Sequence, residues 1–496
     1  MGKITFQNHA KYKVLIDEQI TVIHKNALDI LENTGVHFQT EKALKILEEA
    51  GATVDYDVKM VRFPEAMVME AIDKAPESFT LYGRKGESAA EIGGRNVYFD
   101  PGSAGIRMLE SDGCTMREAE AQDLVKIAQV TEVMKNVELV STALTPYDIP
   151  QKIGESFRVY ALLKHTTKPF VTGAYSAKGM SDIRDLLAID AGGREALREK
   201  PRALLDITAI APLKWTDVSC HNIIDAAMYG LPMQLLSVPM IGAAAPATLA
   251  GCVLLHTVEV LSGLVLAQTV CPGTPVVYGG APMYFDMRSL TTSLNAVEGS
   301  LISAAYAQMG KYYGMPTHTY SGLSDAKTND SQAGLETAIS GTMAYLSEVN
   351  VISGVGMLDF CNTFSLEKLV IDNEICGLLK RIGRGLEFSD DTLAAELIKE
   401  IGPFGEYLNS KHTLKWFRKV PYMPSPVIDR RNYEDWAAHG QETGFDQAKK
   451  VVADILENPK TPAISEEIGA SLDQAWRKIV EENGELTAAE IESTFV

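Results

Sequence analysis

The chain has 496 residues, 46% hydrophobic and 22% charged, with a formal net charge of −19. That is enough apolar content for one large domain with appendages or for two domains, and the acidic balance, with no concentrated basic face, argues against nucleic acid as a partner. Six scattered cysteines (Cys114, Cys220, Cys252, Cys271, Cys361 and Cys376) include no CxxC pair and read as reduced thiols, not as a disulfide framework.

The opening "MGKITFQNHAKYKVLIDEQI" has no apolar h-region and no transit-peptide character, so a cytoplasmic protein is expected. Residues 15–74 predict helices: "DEQITVIHKNALDILENTG", "TEKALKILEEAG" and "PEAMVMEAIDKAP" carry apolar residues at helical spacing. "SFTLYGR" and "AAEIGGRNVYF" predict a hairpin.

From about residue 97 a rhythm sets in. Apolar, β-branched runs occur at "NVYFDPGS", "NVELVSTAL", "KPFVTGAY", "RALLDITAIAP", "MQLLSVPMIG", "TPVVYGGAPM", "MPTHTYSG" and "NVISGVGML". Helix-length segments follow them at 117–134, 153–165, 179–191, 216–230, 246–270, 292–313, 332–347 and 366–381. Eight parallel-type strands alternating with helices predict a (β/α)8 barrel, an α/β fold. The most apolar stretch, "TLAGCVLLHTVEVLSGLVLAQTV", is long enough to span a membrane, but it carries His256 and Glu259 and falls within the rhythm, so it reads as a buried helix. Residues 386–496 are polar and helical. The expected organisation is N-terminal helices and hairpin (1–95), barrel (96–385) and C-terminal helical appendage (386–496).

In such a barrel the active site lies where the strands end. Those positions hold aromatics (Tyr147, Tyr175, Tyr284, Phe285, Tyr320, Phe360) and carboxylates (Asp100, Asp286, Asp325, Asp359), with little histidine or cysteine. Rings beside carboxylates suit a ligand with a fixed positive charge. Simpler roles compete: tyrosines that only pack, Asp325 or Asp330 as helix caps, and Asp286–Arg288 as a loop ion pair. Of nine histidines none is spaced HxH or HxxxH, so no metal is expected; GxSxG and GxGxxG are also absent.

The blocks "GGAPMYFDMR" (279–288), "YAQMGKYYGMPTHTYSGLSDAKTNDSQAGLET" (306–337), "SGVGMLDF" (353–360) and "SLEKLVIDNEICG" (365–377), with "EYLNSKHTLKWFRK" (406–419), resemble in order the trimethylamine methyltransferase superfamily. The resemblance implies a (β/α)8 barrel that passes a methyl group from an amine to Co(I) of a separate corrinoid protein, in one-carbon metabolism such as methanogenesis or acetogenesis. The founding members use pyrrolysine. Only standard residues occur here, so the resemblance is to the non-pyrrolysine branch, which acts on quaternary amines: glycine betaine first, then proline betaine or carnitine. No tightly bound cofactor is implied, because the corrinoid arrives on its partner protein, and a homo-oligomer is in keeping with the family.

A quaternary ammonium leaves as a neutral amine, so no covalent adduct is needed to activate it, and the barrel supplies orientation and charge placement. Strand-end placement nominates Tyr98, Tyr147, Tyr175, Tyr320 and Phe360 for the cationic head group. It nominates Arg288, His318 and His412, with Lys327, for a substrate carboxylate. Asp100, Asp325, Gln332 and Asp359 are nominated as catalytic, polar-positioning groups. Tyr320 is expected to face the barrel mouth, Asp325 to shape the pocket and Asp330 to cap the next helix. The alternatives are a non-catalytic quaternary-amine binding protein and an unrelated (β/α)8 lyase or isomerase.

Overall fold

The computed structural model describes residues 5–7, 9–103, 105–460, 464–483 and 494. Eight strands form one parallel sheet: β1 (Tyr98–Pro101), β2 (Val140–Ser141), β3 (Phe170–Thr172), β4 (Ala203–Thr208), β5 (Met233–Ser237), β6 (Val276–Gly280), β7 (Thr317–Tyr320) and β8 (Val351–Val355). Neighbours follow chain order from β2 round to β8, which pairs with β1. The ring closes where the Leu139 N–H donates to the Phe99 carbonyl at 3.2 Å, next to a parallel bridge between Gly105 and Leu144. This is the (β/α)8 barrel that the eight apolar runs predict.

The barrel helices are α1 (Ala121–Val133), α2 (Gln151–His165), α3 (Ala177–Ala191), α4 (Asp217–Tyr229), α5 (Leu249–Val270), α6 (Val297–Tyr312), α7 (Ser331–Leu346) and α8 (Leu366–Gly383). Strand residues alternate between two environments. Ala203, Leu205 and Ile207 of β4 pack outward into the core shared with the helices, whereas Leu204 joins an inner cluster. That inner cluster holds Val171, Leu204, Val277 and Val351 from four strands and Leu139 just before β2, together with Leu81, Ala90 and Ile92 of the antiparallel hairpin Ser78–Tyr82/Ser88–Gly93. The hairpin is thus an apolar plug under the N-terminal mouth, and the chemistry is left to the C-terminal mouth.

Helix α5 is long and apolar enough to cross a membrane, but it is largely buried inside this fold. The N-terminal helices Asp17–Asn33 and Glu65–Lys74 pack on it, which explains why it is apolar on every side. Its Glu259 is satisfied internally, accepting from Ser237 Oγ at 2.5 Å and from the Leu213 N–H at 2.7 Å.

Two C-terminal helices wrap the barrel. Gly444–Glu457 lies against α8 and α1. Glu466–Asn483 lies against α2 and α3, where Trp476 stacks on Tyr160 at 5.2 Å. Between α8 and these helices the chain exposes Phe404, Leu414, Phe417 and Tyr433. All six cysteines are unpaired.

Candidate active site

Above the apolar plug the barrel interior turns polar. Asp100 on β1 is buried and accepts from Ser353 Oγ at 2.7 Å. His318 Nε2 lies 3.0 Å from the same Ser353 Oγ. Burial pushes the Asp100 carboxyl well above the usual range and the His318 imidazole down to about 3, so the ring is neutral at physiological pH. This chain of groups ends under Tyr320, whose ring meets His318 edge to face at 5.3 Å.

At the C-terminal mouth lies a cavity of about 500 Å³, a usual size for a small-molecule site. Ser103, Thr142, Gly173, Tyr175, Asp206, Thr208, Leu236, Ala281, Tyr320 and Phe360–Asn362 line it, so all eight strands and the loops after them contribute. Asn222 and Ser219 from α4 complete one side.

Asp206 is the carboxylate in this lining. Its Oδ1 accepts from Gln234 Nε2 at 2.6 Å and its Oδ2 from Tyr320 Oη at 3.4 Å. Burial is the dominant influence and raises its pKa to about 7; the hydrogen bonds from Gln234 and Tyr320 and the charge of Arg158 act against that rise. Tyr320 Oη is also 2.6 Å from Ser103 Oγ. An aromatic side chain therefore adjoins a carboxyl whose pKa is raised to about 7.

The turn after β8 supplies another ring. Asp359, Phe360 and Cys361 have φ of +50°, +58° and +72°, three consecutive non-glycine residues in the left-handed region. Each such residue costs about 1–2 kcal/mol, so the surrounding packing must hold the turn. The Asp359 N–H donates to the Ala326 carbonyl at 2.8 Å, and Cys361 Sγ donates to the Ser103 carbonyl at 3.3 Å. The turn carries Phe360 and Cys361 into the cavity wall, and the Lys327 ammonium sits 3.9 Å above the Phe360 ring.

Tyr175, Tyr320 and Phe360, nominated from sequence, meet at this cavity. The other nominees lie elsewhere. Tyr98 begins β1 instead of ending it; it packs against the plug, and its hydroxyl accepts from the Glu91 N–H at 3.1 Å. Asp100 and His318 lie one layer below the cavity. Tyr147 is 75% exposed and does not line it. Asp325 accepts from Ser293 Oγ and from Asn295 Nδ2, fixing the segment that delivers Leu294 to the cavity.

Asp359 lies on the rim, 3.4 Å from Arg107 and 3.8 Å from Lys327. Gln332 is at the surface, donating to Glu336 Oε1 at 2.9 Å, and Asp330 caps α7 through the Gln332 and Ala333 N–H groups. Arg288 pairs with Asp286 at 3.1 Å, with its side chain 89% exposed. His412 is half-buried in the C-terminal region, away from the cavity lining, its Nε2 2.9 Å from the Asp391 carbonyl.

Sequence reasoning missed Asp206, Asn222 and Cys361. The signal for Asp206 was its charge inside the apolar run "RALLDITAIAP". A carboxylate on a covered parallel strand must face something polar, and here that is the cavity. Among the described residues no group of three His, Cys, Asp or Glu is arranged to hold a metal ion.

The family model "Trimethylamine methyltransferase (MTTB)" matches residues 2–482. The glycine betaine methyltransferase of Desulfitobacterium hafniense strain Y51 is 35% identical over 464 residues, covering 93% of this chain and 96% of that protein. The trimethylamine methyltransferase MttB of Methanosarcina thermophila is 34% identical over 469 residues, covering 93% and 96% respectively. Among solved structures, the Methanosarcina barkeri monomethylamine methyltransferase MtmB aligns with a TM-score of 0.49 and 12% identity, over 88% of this chain and 92% of that one. The chain belongs to the trimethylamine methyltransferase (MTTB) family and is a methyltransferase of that family.

Proposed function

We propose that this family member moves a methyl group from a quaternary amine, glycine betaine first among the candidates, to Co(I) of a corrinoid carried by a separate protein in the cytoplasm. The observation that carries the reading is one half-buried carboxyl, Asp206, lining the same cavity as the rings of Tyr320, Tyr175 and Phe360, with Tyr320 Oη 3.4 Å from its Oδ2. Rings attract an ammonium through their faces by about 0.5–2 kcal/mol each and need no hydrogen from it. A quaternary nitrogen has none to give. The 35% identity to a glycine betaine methyltransferase supports that substrate; proline betaine and carnitine are the nearest alternatives.

The chain's own residues then have two tasks. Tyr320 and Phe360 orient the ammonium so that one methyl group points out of the mouth. Asp206 offers a charge weakened by burial, which suits a reaction in which the positive charge on nitrogen fades: a strong ion pair would hold back the transition state. The corrinoid supplies the nucleophile.

The rim suits a large, flat, partly apolar co-substrate. Ile106, Tyr147, Tyr175, Ile210, Met287 and Leu290, all in loops that follow strands, are each at least 46% exposed.

The test mixes the protein with a reduced corrinoid protein and glycine betaine and follows Co(I) loss by absorbance. Unchanged Co(I) across a panel of quaternary amines rules the reading out. Micromolar binding without transfer would instead identify a quaternary-amine binding protein.

A further inference from the structure

Arg158 on α2 is completely buried, yet no carboxylate of the described residues pairs with it within 4.0 Å. Other cations of the interior are better compensated: Lys168 donates to three backbone carbonyls at 2.6, 2.7 and 2.6 Å, and three more have a carboxylate. Arg202 pairs with Asp190 at 2.5 Å, Arg84 with the same carboxylate at 3.3 Å, and Lys368 with Asp372 at 2.5 Å. Glu155, one turn before Arg158, is taken up by the Tyr175 N–H and Ser176 Oγ.

The guanidinium makes only neutral contacts, two of them long. Nη1 donates to Tyr175 Oη at 3.1 Å and to the Thr142 carbonyl at 3.4 Å, and Nη2 donates to the Gly173 carbonyl at 3.3 Å. Its Nε has no partner. A buried guanidinium without an anion is costly, and an anion that reaches it is correspondingly favoured.

All three of its acceptors line the cavity. Tyr175 lies over the guanidinium, 4.8 Å from ring centroid to Cζ, and is 57% exposed, so it forms the outer cover of the charge. Gly173 stands between Arg158 and Asp206. A Cβ on Gly173 would sit 3.1 Å from the Asp206 carbonyl oxygen and 3.4 Å from Asp206 Cβ, so its absence keeps the wall between the two charges open. The cavity thus has an acidic, aromatic pole at Asp206, Tyr320 and Phe360 and a cationic pole behind Thr142, Gly173 and Tyr175.

We propose that Arg158 is the anion-recognising residue of this cavity, and that the substrate is a zwitterion whose carboxylate docks on the Thr142–Gly173–Tyr175 wall after Tyr175 turns aside. This rests on the reading of the cavity as a quaternary-ammonium site. The betaines of that reading already carry a carboxylate; the new step assigns it to a residue behind the wall instead of to Arg288, His318 or His412.

The test is calorimetric binding to the full chain at constant ionic strength, with glycine betaine, choline and tetramethylammonium as probes. Wild type is expected to bind glycine betaine about 10–100-fold more tightly than the two ligands lacking a carboxylate, the range of a charge-assisted hydrogen-bonded pair. R158Q is expected to erase that preference while leaving tetramethylammonium affinity within about threefold, and R158K to restore part of it. Equal wild-type affinity for all three probes overturns the proposal while leaving the ammonium site standing, and it needs no variant to fold. Loss of all three affinities together in a folded R158Q also overturns it. Failure of every probe to bind wild type overturns the ammonium site itself.

Discussion

Tyr320 Oη, at the end of β7, reaches over the barrel mouth to within 3.4 Å of Asp206 Oδ2 on β4. The contact joins an aromatic ring to a carboxyl that burial holds at about pKa 7, so on the proposed function the protonation of Asp206 should govern how the cavity receives a cation. A cation bound at the Tyr320 face favours the carboxylate. Affinity for tetramethylammonium should therefore rise as pH goes from about 6 to 8, and binding near pH 7 should release a proton. The sign for the free chain is opposite. Between about pH 4 and 7 the folded state holds a proton that the unfolded state has released, so this group's contribution to stability falls as pH rises through that window. Calorimetry in two buffers of different ionisation enthalpy measures the proton. Asp206→Asn should flatten the pH profile and weaken the cation; a variant that keeps the full profile would assign it to another group.

Truncating the rings separates their contributions. Phe360→Leu and Tyr320→Leu should each weaken quaternary-ammonium binding by about 5–30-fold, the equivalent of 1–2 kcal/mol for a desolvated cation–π contact. Tyr320→Phe keeps the ring and should cost less than about fivefold, while moving the Asp206 titration further upward because a donor to its carboxylate is gone. An equal loss in Tyr320→Phe and Tyr320→Leu would show that the hydroxyl, not the face, recognises the ligand.

The barrel was legible because eight apolar runs and the helices between them each carry their own local signal. The cavity lining was legible only where a residue ends or closely follows a strand, as Tyr320, Tyr175 and Phe360 do. Tyr98 misled because an apolar run shows where a strand lies but not at which end of it a residue falls. Asp206 and Arg158 escaped because their neighbours in sequence are apolar, and their meaning comes from strands and helices distant in the chain. His412 and Arg288 have the right chemistry, but nothing in their local sequence says that they lie away from the cavity.

The Lys368–Asp372 pair on α8 should matter for folding. Both side chains are almost fully buried; Asp372 Oδ2 also accepts from the Gly356 N–H at 2.7 Å, and Lys368 Nζ donates to Thr337 Oγ1 at 2.8 Å. The pair thereby anchors the chain just after β8, ahead of the turn that carries Phe360. Lys368→Met leaves a buried carboxylate without its counter-charge and should cost about 3–5 kcal/mol. Adding Asp372→Leu should recover part of that loss. Thermal unfolding of the two variants measures both, and a double variant less stable than Lys368→Met would contradict the account.

Cys361 lines the cavity proposed for methyl transfer, where a thiol could itself accept a methyl group. Only the thiolate is a strong nucleophile. Burial pushes the Cys361 thiol up to about 12, and the charges of Asp100 and Asp325 push the same way. Its Sγ also donates to the Ser103 carbonyl at 3.3 Å, an interaction the protonated form makes and the thiolate cannot. Near neutral pH the thiolate fraction is on the order of 10⁻⁵, so Cys361 should serve as wall and as a tie between the β8 and β1 loops. Cys361→Ser keeps the size and the donor, and it should retain quaternary-amine affinity and methyl transfer within about threefold. Peptide mass spectrometry after turnover should find no methyl group on Cys361, and after a short alkylating pulse it should find label on exposed Cys114 well before Cys361. A methylated Cys361, or loss of transfer in Cys361→Ser with binding intact, would make the thiol a participant in the reaction.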